Sequence, residues 1–148
     1  MPGEVAGPAI LIGNWLVHRK IVDYRQAGTL IFVGKAIITD SAFEEHGRFE
    51  VAGTGLDSRR KYKLGMEGES VSVSFPNGSL FVRLVCQPSQ RVFHSCGEDR
   101  YLGRFVVRGP DQWAEVWSVY GPRKRYRSIT YYRRDNLSSV ANDISAKI

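Results

Sequence analysis

Cysteine is scarce in this chain of 148 residues. Cys86 and Cys96 are the only two, too few for a disulfide framework, so a reducing, cytoplasmic setting is the expectation. No apolar run approaches the roughly 18 residues that a membrane span requires. The longest candidate, Leu30 to Ile38, is broken by Gly34 and Lys35. The first residues lack the basic start, apolar stretch and cleavage site of a secretory signal. No segment before Asn136 sustains a helical period, and no repeat or low-complexity tract is present. Catalytic signatures are missing too: there is no Gly-x-x-x-x-Gly-Lys-Ser/Thr phosphate loop and no Gly-x-Ser-x-Gly elbow. A structural zinc wants four ligands in closely spaced pairs. His94 and Cys96 offer two, and Cys86, His18 and His46 lie far away in sequence. No metal or cofactor is therefore expected.

What is present is ordinary globular composition, 43% hydrophobic and 24% charged. The length suits one domain with a core large enough to need no staple. The expected organisation is a loose arm over residues 1–10 and a single domain over 11–148. Its tail, 136–148, places Leu137, Val140, Ala141 and Ile144 at helical spacing, with Asn136 or Ser138 as a cap.

The net charge of +6 is uneven. Residues 100–134 carry nine basic side chains against Asp111 and Glu115. That excess of seven leaves the remainder slightly acidic. Tyr126, Tyr131 and Tyr132 are interleaved with it, as in a groove for single-stranded nucleic acid. The same composition also describes the solvated outer face of β-strands.

Between the ends the pattern is almost all strand. Trp15, Val17, Arg19 and Ile21 alternate with Leu16, His18, Lys20 and Val22. Leu30 to Ile38 alternates likewise, with Gly34 and Ala36 pointing to curvature or close approach. Phe43–His46 and Arg48–Val51 read as a hairpin about Gly47. Arg60, Tyr62 and Leu64 share one face of a further strand. Val71 to Phe75 and Leu80 to Val85 flank Asn77-Gly78, the strongest hairpin signal in the chain. Val92–Cys96, Tyr101–Arg108, Trp113–Tyr120 and Ser128–Arg133 complete about ten or eleven strands. Turn signals every eight to twelve residues favour a sandwich or barrel. An up-and-down antiparallel barrel removes the exposed edges and has room for one small ligand.

Candidate site residues follow from the inner faces. His94 and Cys96 share a face, as do Asp99 and Tyr101 on the next strand. An aspartate can hold one imidazole nitrogen and leave the other free as base or donor. Arg19 shares the face of Trp15 and Val17, and a buried arginine needs a carboxylate or a ligand anion. Asp99 or Glu44 would supply that charge. Arg60 and Tyr62 point inward in the same way. Trp117 belongs to an apolar face with Trp113, Glu115 and Val119. Arg123 and Lys124, beyond Gly121-Pro122, stand at a rim where they could meet a carboxylate or phosphate.

Gly13-x-Trp15 at the head of the first strand resembles the opening of lipocalin-type barrels. There the indole plugs the floor under an arginine of the last strand, for which Arg133 and Arg134 are candidates. More broadly, the chain resembles a domain family of unknown function. The resemblance rests on Gly13 and Trp15, then Arg19, then Arg60 and Tyr62. It continues through His94, Cys96, Asp99 and Tyr101 to Trp117, Val119, Gly121, Pro122, Lys124 and Tyr126. Asn77-Gly78-Ser79 departs from the family's Asp-Gly-Arg, and Arg125 stands where an aspartate is expected. The resemblance implies a calycin-like barrel and carries no activity.

Three functions fit these features. The first is binding of a small molecule, apolar in body, with a polar or anionic head near Arg19, His94 or Tyr101. Arg60, Tyr62, Cys96, Trp117, Arg123 and Lys124 would be further contacts. The second is acid–base catalysis without a covalent intermediate, with His94 as base, Asp99 as its orienter and Tyr101 or Arg19 as polariser. The third is an RNA- or protein-binding module using the basic 100–134 stretch. A homodimer is compatible with each, and a membrane with none.

Overall fold

The computed structural model describes residues 7–136 except Ala27 and Ala52. A 3-10 turn (Pro8–Leu11) leads into ten antiparallel strands. These are β1 (Gly13–Asp23), β2 (Gly28–Ile38), β3 (Ala42–Val51), β4 (Thr54–Glu67) and β5 (Ser70–Ser74). β6 (Leu80–Val85), β7 (Ser89–Cys96), β8 (Asp99–Val107), β9 (Gln112–Tyr120) and β10 (Arg125–Arg134) follow. Each strand pairs with its sequence neighbour, save at one seam, and β1 closes on β10, so the sheet order is β6-β5-β4-β3-β2-β1-β10-β9-β8-β7. The result is an all-β, nearly closed up-and-down barrel. The ladder is interrupted between β6 and β7. There the Gln90 side chain substitutes for a strand partner, accepting from Val85 N–H at 2.9 Å and donating to Val85 O at 2.6 Å.

Period-two alternation decides what fills the barrel. Trp15, Val17 and Arg19 of β1 face inward and are buried, as are Phe32, Ala36 and Ile38 of β2. Trp113, Glu115, Trp117 and Val119 line the inner face of β9. The hairpin expected at Gly47 is instead one continuous strand, β3. Gly47 lies opposite Gly34, and a Cβ on either glycine would collide with the partner backbone and the Phe32 ring. The glycines let two strands approach beneath an aromatic ring, which a reading of glycine as a turn former misses.

Residues 8–10, expected in the loose arm, form part of the 3-10 turn, and Pro8 is buried. The helix expected over 136–148 falls almost wholly outside the described residues. Trp15 donates from Nε1 to Leu11 O at 2.9 Å. Arg134, not Arg133, covers the indole, with its Cζ 4.2 Å from the ring centroid. The Arg134 guanidinium also donates to the carbonyls of Ile10, Ile12 and Pro110. Cation–π contact of this kind is worth on the order of 1 kcal/mol. Gly13 permits it: its φ is +138°, and a side chain there would strike Arg134.

Candidate functional site

Inward-facing residues of five strands converge on a buried polar cluster. Arg19 (β1) binds Glu45 (β3) through two parallel bonds of 2.8 and 2.7 Å, and its Nε donates to Thr130 (β10) at 2.8 Å. Arg60 (β4) donates from Nη2 to Glu115 (β9) at 3.1 Å, to Tyr132 (β10) at 3.1 Å and to Glu45 at 3.4 Å. The Tyr132 hydroxyl donates to Glu115 at 2.9 Å. Strand parity places them: 43, 45, 47 and 49 point inward, so Glu45 is the partner of Arg19. The expected partners Glu44 and Asp99 are not. Glu44 faces solvent and meets Lys61 at 3.1 Å, and Asp99 lies beside Lys124. Two guanidinium groups against two carboxylates leave the cluster neutral.

Burial alone would raise the Glu115 carboxyl, but Arg60 and Arg19 outweigh it and hold the group below its ordinary value. Burial, reinforced by Glu115, pushes the Tyr132 hydroxyl well above its usual range, so it stays a neutral donor. Burial also opposes the Arg60 charge, yet Tyr132, Glu115 and Glu45 more than offset it, and the cation is firmly retained.

Beside this cluster lies a cavity of about 360 Å³, at the small end of the range of ligand sites. Pro8, Ile10 and Leu11 of the 3-10 turn bound it on one side. Leu64, Met66, Val71, Val73, Val82 and Leu84 form an aliphatic wall, and Phe105, Val107 and Trp113 the wall opposite. Arg60, Tyr62 and Glu115 give it a polar inner end, and Cys86 and Gln90 lie toward the β6–β7 seam. Arg60 is the member of the cluster with most open surface, 29% of its side chain against 2% for Glu45 and 8% for Glu115. Two donors on lining residues, Arg60 Nε and Trp113 Nε1, are themselves buried out of reach of the cavity and have no hydrogen-bond partner. A buried N–H left unpaired costs about 1–3 kcal/mol.

The residues singled out in sequence divide between two regions. Arg60 and Tyr62 line the cavity. Arg19 sits in the charge cluster behind it. Trp117 and Tyr62 sandwich Phe81 in a stack, at 5.1 and 5.6 Å between ring centroids. Beyond that stack lies the opposite barrel end. There His94 packs against Phe75, Phe81 and Tyr101. It makes ring contacts and no hydrogen bond to Asp99. Lys124 takes Asp99 instead, at 3.5 Å, and donates to the Tyr101 hydroxyl at 3.2 Å. That hydrogen bond, with help from Asp99, raises the Lys124 ammonium above its ordinary value. Cys96 is exposed at the β7–β8 turn, and Arg123 is exposed beside Lys124. Both cysteines are free thiols, and burial with Glu69 nearby raises that of Cys86. Among the described residues no group of three or more His, Cys, Asp or Glu is arranged to hold a metal, and no helix is long and apolar enough to cross a membrane.

The basic stretch splits as well. Arg100, Arg104, Arg125, Arg127 and Arg133 are exposed on outer faces. Of the interleaved tyrosines, Tyr131 is exposed, whereas Tyr132 is buried in the cluster and Tyr126 is half-buried. Sequence reasoning does not mark Glu45, Glu115, Thr130 and Tyr132 as site residues. A signal existed: Glu115 interrupts the apolar face of Trp113, Trp117 and Val119, and Glu45 lies between Phe43 and Gly47.

These features define a single-chain antiparallel barrel of lipocalin-like form with an internal apolar cavity and a buried ionic cluster. The chain belongs to a family of unknown function (DUF6314), whose model matches residues 11–134. No curated protein matches the sequence. Among solved structures it is similar to the S-type phycobiliprotein lyase CPES from Guillardia theta, with a TM-score of 0.60 at 10% identity. That likeness covers 86% of this chain and 90% of the lyase. It is also similar to a protein of unknown function from the DUF3598 family of Nostoc punctiforme, with a TM-score of 0.56 at 11% identity. There it covers 83% of this chain and 46% of the longer one. At these identities the likeness is one of fold.

Proposed function

We propose that this barrel binds a small, largely apolar molecule in the cavity between the 3-10 turn and the Arg60–Glu115 cluster. The body of the ligand lies against the aliphatic and aromatic walls, and its polar end meets Arg60. One observation carries this reading. The cavity is apolar almost throughout, yet its inner end carries Arg60, a cation whose side chain keeps 29% of its surface open while its partners Glu45 and Glu115 keep 2% and 8%. A core built only for stability would have covered that cation as it covers Arg19, whose side chain is 8% exposed. Burial of most of a ligand's surface by apolar walls with a few placed polar groups is how such pockets work. The polar contact therefore moves from Arg19, His94 and Tyr101, where the sequence places it, to Arg60.

Native mass spectrometry of the protein purified from its own cells tests the reading. The expected spectrum shows an added small-molecule mass that organic extraction removes. The uncharged probe N-phenyl-1-naphthylamine should then brighten on entering the emptied protein. A bare polypeptide mass together with no brightening would refute the proposal.

A further inference from the structure

The outer wall of the barrel is divided by charge. Adjacent strands β1, β10, β9, β8 and β7 form one side of it. Their outward positions carry Lys20 on β1, Arg125, Arg127 and Arg133 on β10, and Arg100 and Arg104 on β8, all exposed. Arg91 on β7 joins them. No aspartate or glutamate points outward from these strands, and the exposed carboxylates Glu98 and Asp111 lie in the turns at their ends. Among the described residues none of these cations has an ion-pair partner. The other side is mixed. There β3 and β4 turn Glu44, Glu50 and Asp57 outward, and Lys61 and Arg48 pair with the first and last of them.

Open rings stand between the cations. Tyr120 lies opposite Arg125 on one neighbouring strand and opposite Arg100 on the other. Strand spacing puts the backbones of the two arginines about 10 Å apart with the ring between them. Tyr131 has Arg133 two residues along on the same face and His18 opposite. The two tyrosines are 46% and 61% exposed. An open depression beside Tyr131 is lined by His18, Arg108 and Arg133 together with Val116 and Ile129. We infer that this wall binds single-stranded nucleic acid, with bases stacked on Tyr120 and Tyr131 and phosphates held by the arginines around them.

A surface of one sign, without counter-charges, concentrates polyanions near it. Charge alone gives the rings no role. Base faces alternating with phosphates do, because aromatic platforms beside a cationic track hold single strands with little regard to sequence. A duplex keeps its base faces within its own stack and offers this wall only phosphates. An acidic peptide cannot join the wall as an extra strand, since the main chain of β1, β10, β9 and β8 is paired on both sides. The wall lies outside the barrel, so binding there is independent of whether the cavity holds a ligand.

The test is fluorescence anisotropy of a labelled single strand of about twelve nucleotides and mixed sequence, titrated with the intact protein. Contacts to phosphates from Arg100, Arg125, Arg127 and Arg133 give an expected slope of log K against log salt of about −2.8. Binding should thus be roughly 50-fold weaker at 200 mM salt than at 50 mM. Arg125→Gln with Arg127→Gln should make the slope shallower by about 1.4. Tyr120→Ala should weaken binding by at least about fivefold and leave the slope as it was. Arg59→Gln with Lys63→Gln, both exposed on the outer face of β4, should change neither. Failure to bind at the lower salt overturns the inference, as does an equal loss in the β4 variant. A Tyr120→Ala protein that binds like the wild type also overturns it. So does polyglutamate that displaces the probe as well as an unlabelled single strand, for the wall would then recognise charge alone, as an acidic protein surface supplies it.

Discussion

Replacing Glu115 with glutamine keeps the shape of the side chain and deletes one of the two negative charges of the Arg19–Arg60 cluster. Arg19 and Arg60 then face Glu45 alone, and one guanidinium is left without a counter-charge in a desolvated interior. Removing one partner of a buried ion pair costs about 3–5 kcal/mol. The glutamine carbonyl still accepts a bond from Tyr132 or Arg60, which returns about 1 kcal/mol. The expected loss is about 2–4 kcal/mol, a large part of the roughly 5–15 kcal/mol that holds a domain together. At this chain length each kcal/mol lowers the melting temperature by roughly 3 °C, so a fall of about 6–12 °C is expected. The control is Glu44→Gln, which breaks the solvent-exposed pair with Lys61 at 3.1 Å and should cost no more than about 1 kcal/mol. Acid adds a second check. The Glu115 carboxyl sits below its ordinary value of 4.5. Its stabilising effect is therefore present above that value and is lost as pH falls through the lower, folded one. The wild type and the Glu115→Gln variant should converge there, because a protonated glutamate resembles glutamine. Calorimetry at several pH values reads both effects. Equal losses at positions 44 and 115, or a gap that persists unchanged into acid, would refute the reasoning.

Other outcomes follow from the same contacts. Gly13→Ala drives a methyl group into Arg134 and disfavours the backbone at φ +138°. It should cost about 1–3 kcal/mol and show as a lower melting temperature with increased accessibility of Trp15 to a fluorescence quencher. Gln90→Ala removes both bonds to Val85 across the β6–β7 seam. Hydrogen exchange should then quicken at the Val85 amide well before the β1–β10 ladder is affected. In alkali, tyrosines of the unfolded chain ionise near 10 while Tyr132 stays protonated in the fold. Its contribution is intact below that pH and declines above it, and Tyr132→Phe should make the alkaline limb shallower.

Much of the fold was legible because strand alternation writes burial directly into sequence. Trp15-x-Val17-x-Arg19 and Trp113-x-Glu115-x-Trp117-x-Val119 both face inward as their spacing indicates, and the Asn77-Gly78 turn joins β5 to β6. Arg134 over Trp15 was foreseeable to within one residue. The misreading at Gly47 has a physical origin. Glycine supplies either a turn or a close strand crossing, and one chain does not say which until its partner, Gly34, is known. That error hid the Phe43-x-Glu45-x-Gly47-x-Phe49 alternation and assigned the charge opposite Arg19 to the wrong glutamate. The His94–Cys96–Asp99–Tyr101 grouping was sound as strand pairing, since His94 lies opposite Tyr101 and Cys96 opposite Asp99. Adjacency on a ladder does not fix which side chains bond, however, and Lys124 from the next hairpin reaches Asp99 first. The cavity depends on Pro8–Leu11, Leu84 and Trp113 meeting in space, a fact no local pattern carries.

The ionic cluster draws on residues 19, 45 and 60 from one half of the chain and 115, 130 and 132 from the other. A fragment ending after β4 would hold two arginines and a single glutamate, and one beginning at β9 would hold a glutamate with no arginine to meet it inside. Neither piece could sequester its charges alone. Cleaved or split versions of this protein should stay open until both halves are mixed, and then reassociate through the very atoms that make each one incomplete.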